Sequence, residues 1–209
     1  MIDLVLPESR LAYAAVLMQM HHDRKLVFVD TLGWNLPSPR SWLEVDDFDN
    51  EHSVYLLARS PDTGRHGGSV RLLPTTQRHM LGSLFSELCA GEIPVGDDCW
   101  EISRLVTTPP EVAGTSVLKI YRLMALGLVE FAVLNSIRRY TLVTEPHRVP
   151  ALLSVGWSVK PLGLPRLCMG QQLQALQISV GEDTLLKLRS KLRISTSVLQ
   201  SAPLDRRAA

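Results

Sequence analysis

The sequence predicts an α/β sandwich with one mixed central sheet. Strand-like and helical segments alternate along most of the 209 residues, a pattern typical of sheets covered by helices. The early strand-like segments follow one another closely, which indicates a meander. No G-x-G-x-x-G turn follows a strand and no Walker loop occurs, which argues against dinucleotide-binding and nucleotide-triphosphatase folds.

The first fifty residues predict a strand, a helix and a long loop. Residues 2–6 have the character of a strand. Residues 7–29 have a helical pattern with one shared face, formed by Leu11, Ala14, Met18 and His21. Residues 30–49 contain a glycine and two prolines and predict an irregular loop, a feature that is more often functional than idle in compact domains.

The remaining elements are shorter. Strands at 54–59 and 69–73 flank a turn with Pro61, Asp62 and Gly64, which predicts a hairpin. The helix at 117–137 is apolar on most sides and should be buried. The other predicted elements are a helix at 84–90, strands at 100–106, 139–144 and 173–180, a helix at 149–155 and a last helix around Leu185, Leu188 and Leu192.

Composition and charge restrict the function classes. The length suits one domain, predicted as 1–194, with a polar tail at 195–209. The net charge of +1 gives no global field toward nucleic acid or membranes. Residues 123–134 are apolar but interrupted by Glu130, too short to span a bilayer. Three unpaired cysteines and no signal peptide predict reduced thiols in a cytoplasmic protein without membrane insertion.

Charged residues stand out where their neighbours are apolar. Arg24 lies near the end of the first helix, Arg71 inside a strand, and Glu101 and Arg104 inside another; residues 44–49 form an acidic run around one aromatic. Each has an ordinary explanation as a solvated loop, an edge-strand charge or a structural ion pair.

Glu101 and Arg104 are three residues apart, so a regular strand would direct them to opposite faces. Two arrangements remain open. A β-bulge near Ser103 would bring them together, as bulges often do beside active sites. Otherwise Arg104 belongs to a structural ion-pair web and Glu101 faces a cleft.

Taken together, nine residues resemble the invariant set of the acyl-homoserine lactone synthases of the LuxI type. The run Arg71-Leu72-Leu73-Pro74-Thr75-Thr76 and the run Trp100-Glu101-Ile102-Ser103-Arg104 are also similar to that family's motifs. The resemblance covers roughly residues 20–160 and thins after Thr144. The nine positions are Arg24, Phe28, Trp34, Asp46, Asp49, Arg71, Phe85, Glu101 and Arg104.

The resemblance implies a fold and a reaction. The fold would be a three-layer α/β/α sandwich like that of N-acyltransferases (GNAT), with a splayed mixed sheet and a V-shaped cleft. The substrates would be S-adenosylmethionine (SAM) and an acyl thioester of acyl carrier protein or coenzyme A. The products would be methylthioadenosine and an acyl-homoserine lactone, a quorum-sensing signal. We expect no cofactor besides the substrate SAM, and no metal.

The chemistry of SAM explains these residue types. Its sulfonium and ammonium suit carboxylates and aromatic faces, and its carboxylate suits guanidinium groups. The expected SAM side consists of Arg24, Phe28, Trp34, Asp46, Asp49, Arg71 and Phe85. Glu101 is the expected general base that deprotonates the amine, and Arg104 is placed with it in the catalytic set.

The acyl pocket is expected from the second half of the chain, although plain core packing explains each of its residues equally well. Thr144 resembles the family position linked to acceptance of a 3-oxo group. The carrier's docking surface would be basic, with Arg138, Arg139 and Arg148 as candidates. The pocket candidates are Met124, Leu128, Val143, Thr144, Leu152 and Trp157.

Two other functions compete with this one. Another GNAT-like acyl-CoA-dependent N-acyltransferase would often carry a glycine-rich turn, but residues 108–115 contain one glycine. A non-catalytic ligand-binding protein would not be expected to keep all nine positions.

Overall fold

The computed structural model describes residues 1–34 and 42–201. The chain divides into two units. The first comprises Met1–Arg71, Arg104–Met124 and Val198–Ala209, and the second comprises Leu72–Ser103 and Ala125–Ser197. Two strands and one helix therefore begin in one unit and end in the other.

Strands and helices alternate along the described chain, as predicted. The strands are β1 (Ile2–Val5), β2 (Val54–Arg59), β3 (His66–Pro74), β4 (Cys99–Thr107), β5 (Arg139–Thr144), β6 (Ser158–Pro161), β7 (Arg166–Cys168), β8 (Gln171–Ser179) and β9 (Leu199–Gln200). The α-helices are α1 (Ala14–Arg24), α2 (Met80–Leu84), α3 (Pro110–Ala113), α4 (Val117–Leu134), α5 (Val149–Val155) and α6 (Glu182–Leu192).

The first predicted helix consists of three segments with different turn geometries. A 3-10 helix at Pro7–Tyr13 leads into α1, and a π-helix at Lys25–Thr31 follows. A single 3.6-residue period does not hold across such a sequence of turns, so the predicted shared face is wrong: Leu11 and Met18 are exposed. The buried face instead packs against the strands, in a cluster of Val5, Tyr13, Val16, Met20, Tyr55 and Leu57.

The first unit contains a mixed set of strand pairs. β1 runs antiparallel to β2, with Ile2 opposite Ala58, and parallel to β9, with Ile2 opposite Leu199. The backbone N–H of Ser60 donates to the carbonyl of Arg65 at 2.8 Å and closes the predicted turn. Val198 is buried, so the described part of the predicted polar tail is anchored in the unit.

The second unit is layered. β5 runs parallel to β4 from Cys99 opposite Arg139 to Ile102 opposite Leu142, and antiparallel to β8. On one face the Tyr140 hydroxyl donates to the Leu128 carbonyl of α4 at 2.8 Å. The other face carries α2 and the 3-10 helix Ser86–Leu88, so the predicted helix at 84–90 is wrong in its extent.

The second half of α4 is apolar and buried, and its one buried carboxylate is paired. Glu130 accepts hydrogen bonds from Arg189 at 2.9 Å and from the Ser197 hydroxyl at 2.8 Å. Buried charges are tolerated when they are compensated in this way. Across residues 1–34 and 42–201, no helix combines the length and the apolar character needed to cross a bilayer.

Candidate active site

Three arginines and three carboxylates of the first unit form one buried ion cluster. Arg24 and Arg71 are fully buried and Arg104 is 8% exposed. The carboxylate side chains have exposed fractions of 0% for Glu44, 2% for Asp49 and 12% for Asp46. We use the name ion cluster for these six residues: Arg24, Glu44, Asp46, Asp49, Arg71 and Arg104.

Arg24 and Arg71 both hold two carboxylates. Arg24 donates to the two oxygens of Asp49 at 2.8 and 3.0 Å, a bidentate pair, and its Nε donates to Glu44 at 2.5 Å. Arg71 donates to the two oxygens of Asp46 at 2.5 and 3.1 Å and lies 2.9 Å from Asp49. Fork-to-fork contacts of this kind fix orientation as well as charge.

Arg104 completes the cluster. Its Nε donates to Glu44 at 3.1 Å and its Nη2 donates to Asp46 at 2.6 Å. Arg104 lies in β4 with φ of 53°, a left-handed conformation that is uncommon outside glycine. The pairing of Arg104 with Glu44 and Asp46, rather than this strained backbone, matches the second predicted arrangement, in which Arg104 belongs to an ion-pair web. Such strain is typically found where the surrounding contacts over-determine a residue.

The acidic loop is shaped to present its carboxylates. The Asp46 backbone N–H donates to the Asp49 side chain at 2.9 Å, and the Phe48 N–H donates to the Asp46 side chain at 2.9 Å. Asp side chains commonly cap their own turns in this way. The Tyr55 hydroxyl donates to Asp49 at 2.8 Å. The structure describes residues 42–49 of the predicted irregular loop, and residues 35–41 lie outside the described chain.

Burial and charge pull the pKa values of the cluster in opposite directions. For Asp49, burial opposes ionisation, but Arg24 and Arg71 outweigh it and hold its pKa well below the ordinary value. Burial likewise opposes the charge on Arg24, whose pKa is nevertheless raised by Asp49 and Glu44. For Arg104 burial prevails and lowers the pKa, despite the opposing effect of Glu44. The charges of Arg24 and Asp49 therefore stabilise each other, whereas burial destabilises the charge of Arg104.

Two aromatic rings lie over the ion cluster. Phe28 and Trp34 stack with their centroids 4.8 Å apart. The Arg104 guanidinium carbon lies 5.5 Å from the Phe28 centroid and 6.0 Å from that of Trp34, within cation–π range. The stacked pair is half-exposed on its Trp34 side, and the indole N–H of Trp34 has no hydrogen-bond acceptor among the described residues.

Glu101 lies in the second unit, in a different environment. Its two carboxylate oxygens accept the backbone N–H groups of Met80 at 2.9 Å and Leu81 at 2.6 Å. These are the first two residues of α2, whose amide groups have no intrahelical acceptor. Glu101 is 1% exposed and lies opposite Thr141 of β5.

The sequence of this chain matches known proteins over most of its length. Residues 8–187 match the family described as autoinducer synthase. The chain belongs to the autoinducer synthase family. It is 30% identical to the isovaleryl-homoserine lactone synthase of Bradyrhizobium diazoefficiens, over 97% of this chain and 90% of that protein. It is 32% identical to an acyl-homoserine-lactone synthase of Acinetobacter nosocomialis, over 75% of this chain and 88% of that protein.

Solved structures agree with this assignment. A CoA-dependent acyl-homoserine lactone synthase solved with SAM and isopentyl-CoA superposes with a TM-score of 0.87 at 28% identity, covering 97% of this chain and 93% of that one. An N-acetyltransferase from Lactobacillus plantarum, at 14% identity, has a TM-score of 0.53 over 86% of this chain and 99% of that one. The α/β fold of the N-acyltransferase type, predicted from the resemblance, is confirmed.

The residues expected to form the acyl pocket differ in burial, and two of them lie on opposite faces of β5. Met124, Leu128 and Trp157 are buried, whereas Val143, Thr144 and Leu152 are half-buried. Successive residues of β5 point to opposite faces, so Val143 and Thr144 do not line the same side of the sheet. Val143 packs with Phe85 in an apolar cluster on the α2 face, together with Leu81, Leu88, Leu173 and Ala175.

Phe85 was expected on the SAM side, but the structure places it in the second unit. Its ring is 7% exposed and belongs to the apolar cluster with Val143. The ion cluster and the stacked pair belong to the first unit. The order of the nine residues along the chain carried no information on this division, because sequence spacing does not specify which residues pack together.

The structure also adds a residue that the sequence-based set of nine omits. Glu44 is fully buried and contacts both Arg24 and Arg104. Charge counting could not identify it, because the set of nine already contains three carboxylates, Asp46, Asp49 and Glu101, for its three arginines. The need for Glu44 becomes visible only once the structure places Glu101 on the amides of α2.

The basic residues considered for carrier docking are partly neutralised. Arg139 donates to Asp98 at 2.7 Å and Arg148 donates to Glu145 at 2.6 Å. All three cysteines are free thiols, and burial raises the pKa of Cys99, which disfavours a thiolate nucleophile. Among the described residues, no group of His, Cys, Asp and Glu side chains is arranged to hold a metal ion.

Proposed function

We propose that this chain joins an acyl group to the amine of SAM and then closes the lactone ring. It is an acyltransferase and an acyl-homoserine lactone synthase. The observation that carries the assignment of the SAM side is the ion cluster beneath the stacked rings of Phe28 and Trp34. A flat aromatic face beside compensated charges suits a ligand that combines adenine, a sulfonium and an amino acid.

Within the ion cluster, Asp46 is our candidate for the contact to the SAM ammonium. Its side chain is the most exposed of the three carboxylates, at 12%. Arg71 and Arg104 already hold it in one orientation. Glu44 and Asp49 serve mainly to fix the arginines, because their side chains are almost completely buried. Trp34 and Phe28 cover the adenine or the sulfonium.

The first reaction forms the amide. The amine nitrogen loses a proton and bonds to the carbonyl carbon of the thioester, the carbon–sulfur bond breaks, and the carrier leaves as its thiol. Glu101 accepts the amine proton, directly or through a water, a role worth about 10²–10⁴-fold. The amides of Met80 and Leu81 hold the carboxylate in place. An ionised carboxylate offers about four lone-pair sites. Two amide hydrogen bonds therefore do not prevent Glu101 from taking up a proton.

The second reaction closes the ring. A carboxylate oxygen of the SAM portion attacks the carbon bonded to the sulfonium, a carbon–oxygen bond forms, and the carbon–sulfur bond breaks. Methylthioadenosine leaves as a neutral thioether. Both reacting groups belong to one molecule, so the protein needs only to favour the folded geometry of the intermediate.

The acyl side lies in the second unit in this proposal. Val143 and Phe85 are its first members, because they share the face of the sheet that carries Glu101. Leu128, Thr144, Leu152 and Trp157 remain candidates for a deeper part of the pocket, whereas Met124 ends a segment of the first unit and stays a prediction from the sequence. We infer a coenzyme A thioester as the donor, because a CoA-dependent synthase matches nearly the whole fold. SAM and coenzyme A thioesters are cytoplasmic metabolites, so we infer a cytoplasmic location.

The test is product analysis with both donor classes. The purified chain is incubated with SAM and a panel of acyl-CoA or acyl carrier protein thioesters, and methylthioadenosine and lactone are measured by mass spectrometry. We expect both products in equal amounts with coenzyme A donors. Formation of an acylated amine without methylthioadenosine would favour a different N-acyltransferase, and absence of any acyl transfer would favour a ligand-binding protein.

A further inference from the structure

The first turn of α2 binds the Glu101 carboxylate, and the ring of His79 lies against that turn. His79 is the residue immediately before Met80, the first residue of the helix. Its ring nitrogen Nδ1 lies 2.9 Å from the Gln77 carbonyl oxygen. A carbonyl can only accept a hydrogen bond, so Nδ1 carries the proton. The side chain is buried, and the Nε2 atom has no partner among the described residues.

The His79 ring packs against the helix at Gly82. Gly82 lies three residues further, on the same side of the first turn. A methyl group added at Gly82 would lie 2.9 Å from both Cε1 and Nε2 of the ring. Real Cβ atoms essentially never lie within 3.0 Å of a neighbouring heavy atom, so ring and methyl group cannot both stay in place. The absence of a side chain at position 82 is what allows His79 to lie there.

Helix α2 cannot set its own position. It has five residues, and helices this short are unstable in isolation, so its orientation depends on tertiary anchors. Leu81 anchors its buried side, and Met80 packs against the same apolar cluster. A further anchor is the His79 ring, which lies between the Gln77 carbonyl and Gly82.

We propose that His79 and Gly82 are positioning residues for Glu101. They fix the first turn of α2 so that the amides of Met80 and Leu81 meet the two carboxylate oxygens. The inference rests on the proposed role of Glu101 as the base of acyl transfer. A displaced first turn would leave the carboxylate misdirected, and misplacement by about 1 Å costs on the order of 10²-fold in rate.

Gly82→Ala is the first test. We expect kcat to fall about ten-fold or more, while the KM for SAM stays within about two-fold of the wild type, because the ion cluster is untouched. Thermal stability should fall only slightly, because the higher helix propensity of alanine offsets part of the cost of displacing the His79 ring. A large fall in kcat with a small loss of stability distinguishes positioning from a general packing defect.

His79→Asn is expected to restore kcat when it is combined with Gly82→Ala. The asparagine Nδ2 occupies nearly the place of Nδ1 and keeps the hydrogen bond to Gln77, but the atoms that would meet a methyl group at position 82 are gone. His79→Asn should therefore retain most of the wild-type kcat, and His79→Asn/Gly82→Ala should match His79→Asn within about three-fold. His79→Ala, which removes the hydrogen bond, should be slower than His79→Asn.

The result that overturns the proposal is a Gly82→Ala enzyme with wild-type kcat, or a double variant as slow as Gly82→Ala alone. If Gly82→Ala does not fold, equal kcat values for His79→Ala and His79→Asn overturn it instead. Failure of the proposed function is recognised separately, because the wild-type chain would then release no methylthioadenosine with any donor.

Discussion

The carboxylates of the ion cluster in the first unit and Glu101 in the second unit are held in two different ways. In the ion cluster of the first unit, side-chain guanidinium groups bind Glu44, Asp46 and Asp49. In the second unit, backbone amides at the start of α2 bind Glu101. The difference has a chemical meaning. A formal positive charge opposes the uptake of a proton by its partner carboxylate, whereas a neutral amide opposes it less.

The comparison indicates a division of labour. In the proposed function the ion cluster gives the SAM side a rigid base, and the backbone amides of α2 orient the Glu101 carboxylate. Four predictions test this division, from the largest expected effect to the smallest.

Glu101→Gln should lower kcat by about 10²–10⁴-fold, because the amide cannot accept the amine proton. The glutamine oxygen can still accept one of the two α2 amides, so the fold should persist. Steady-state kinetics together with SAM binding by calorimetry measures the two effects separately. A Glu101→Gln enzyme with the wild-type kcat would show that another group is the general base.

Arg24→Met should destabilise the first unit by about 3–5 kcal/mol, because it leaves buried carboxylates uncompensated. Urea unfolding of the full chain provides the free energy of unfolding. Arg148→Met is the matched control. The ion pair of Arg148 with Glu145 is partly exposed, so its loss should lower the free energy of unfolding by about 0–1 kcal/mol. Equal losses in the two variants would contradict the structural role assigned to the ion cluster.

Asp49 should make the free energy of unfolding depend on pH. Its pKa is lower in the folded chain than in the unfolded chain, because of Arg24 and Arg71, so the unfolded chain binds this proton first. The stabilisation is complete above the unfolded pKa of about 4 and declines as the pH falls toward the folded value. Unfolding free energies measured between about pH 6 and pH 2.5 should fall, and the slope should be smaller in Asp49→Asn.

Trp34→Ala should raise the KM for SAM by about two- to thirty-fold and change the KM for the acyl donor little. The expected size follows from a cation–π contact of about 0.5–2 kcal/mol. The two substrates are titrated separately. An effect confined to the acyl donor would move the stacked pair to the other side of the site.

The sequence predicted some elements well and others poorly for identifiable reasons. β5 and α5 have the predicted bounds, since their neighbouring turn signals are unambiguous. The face of the first helix was wrong because Pro7–Tyr13 is a 3-10 helix and Lys25–Thr31 a π-helix. Glu44 was omitted because its acidic neighbours make it resemble a solvated loop until its two arginine partners are known.

Residue types and their order along the chain determined the family and the chemistry, because SAM and a thioester require particular charges and rings. Only the tertiary structure determined which charged side chains form ion pairs with each other. Arg104 reaches Glu44 across 60 residues and Arg71 reaches Asp46 across 25. Glu101 is held by α2, and Phe85 packs with Val143. The physical reason is that ion pairing and packing depend on distance in space, and local sequence patterns record only the preferences of neighbouring residues.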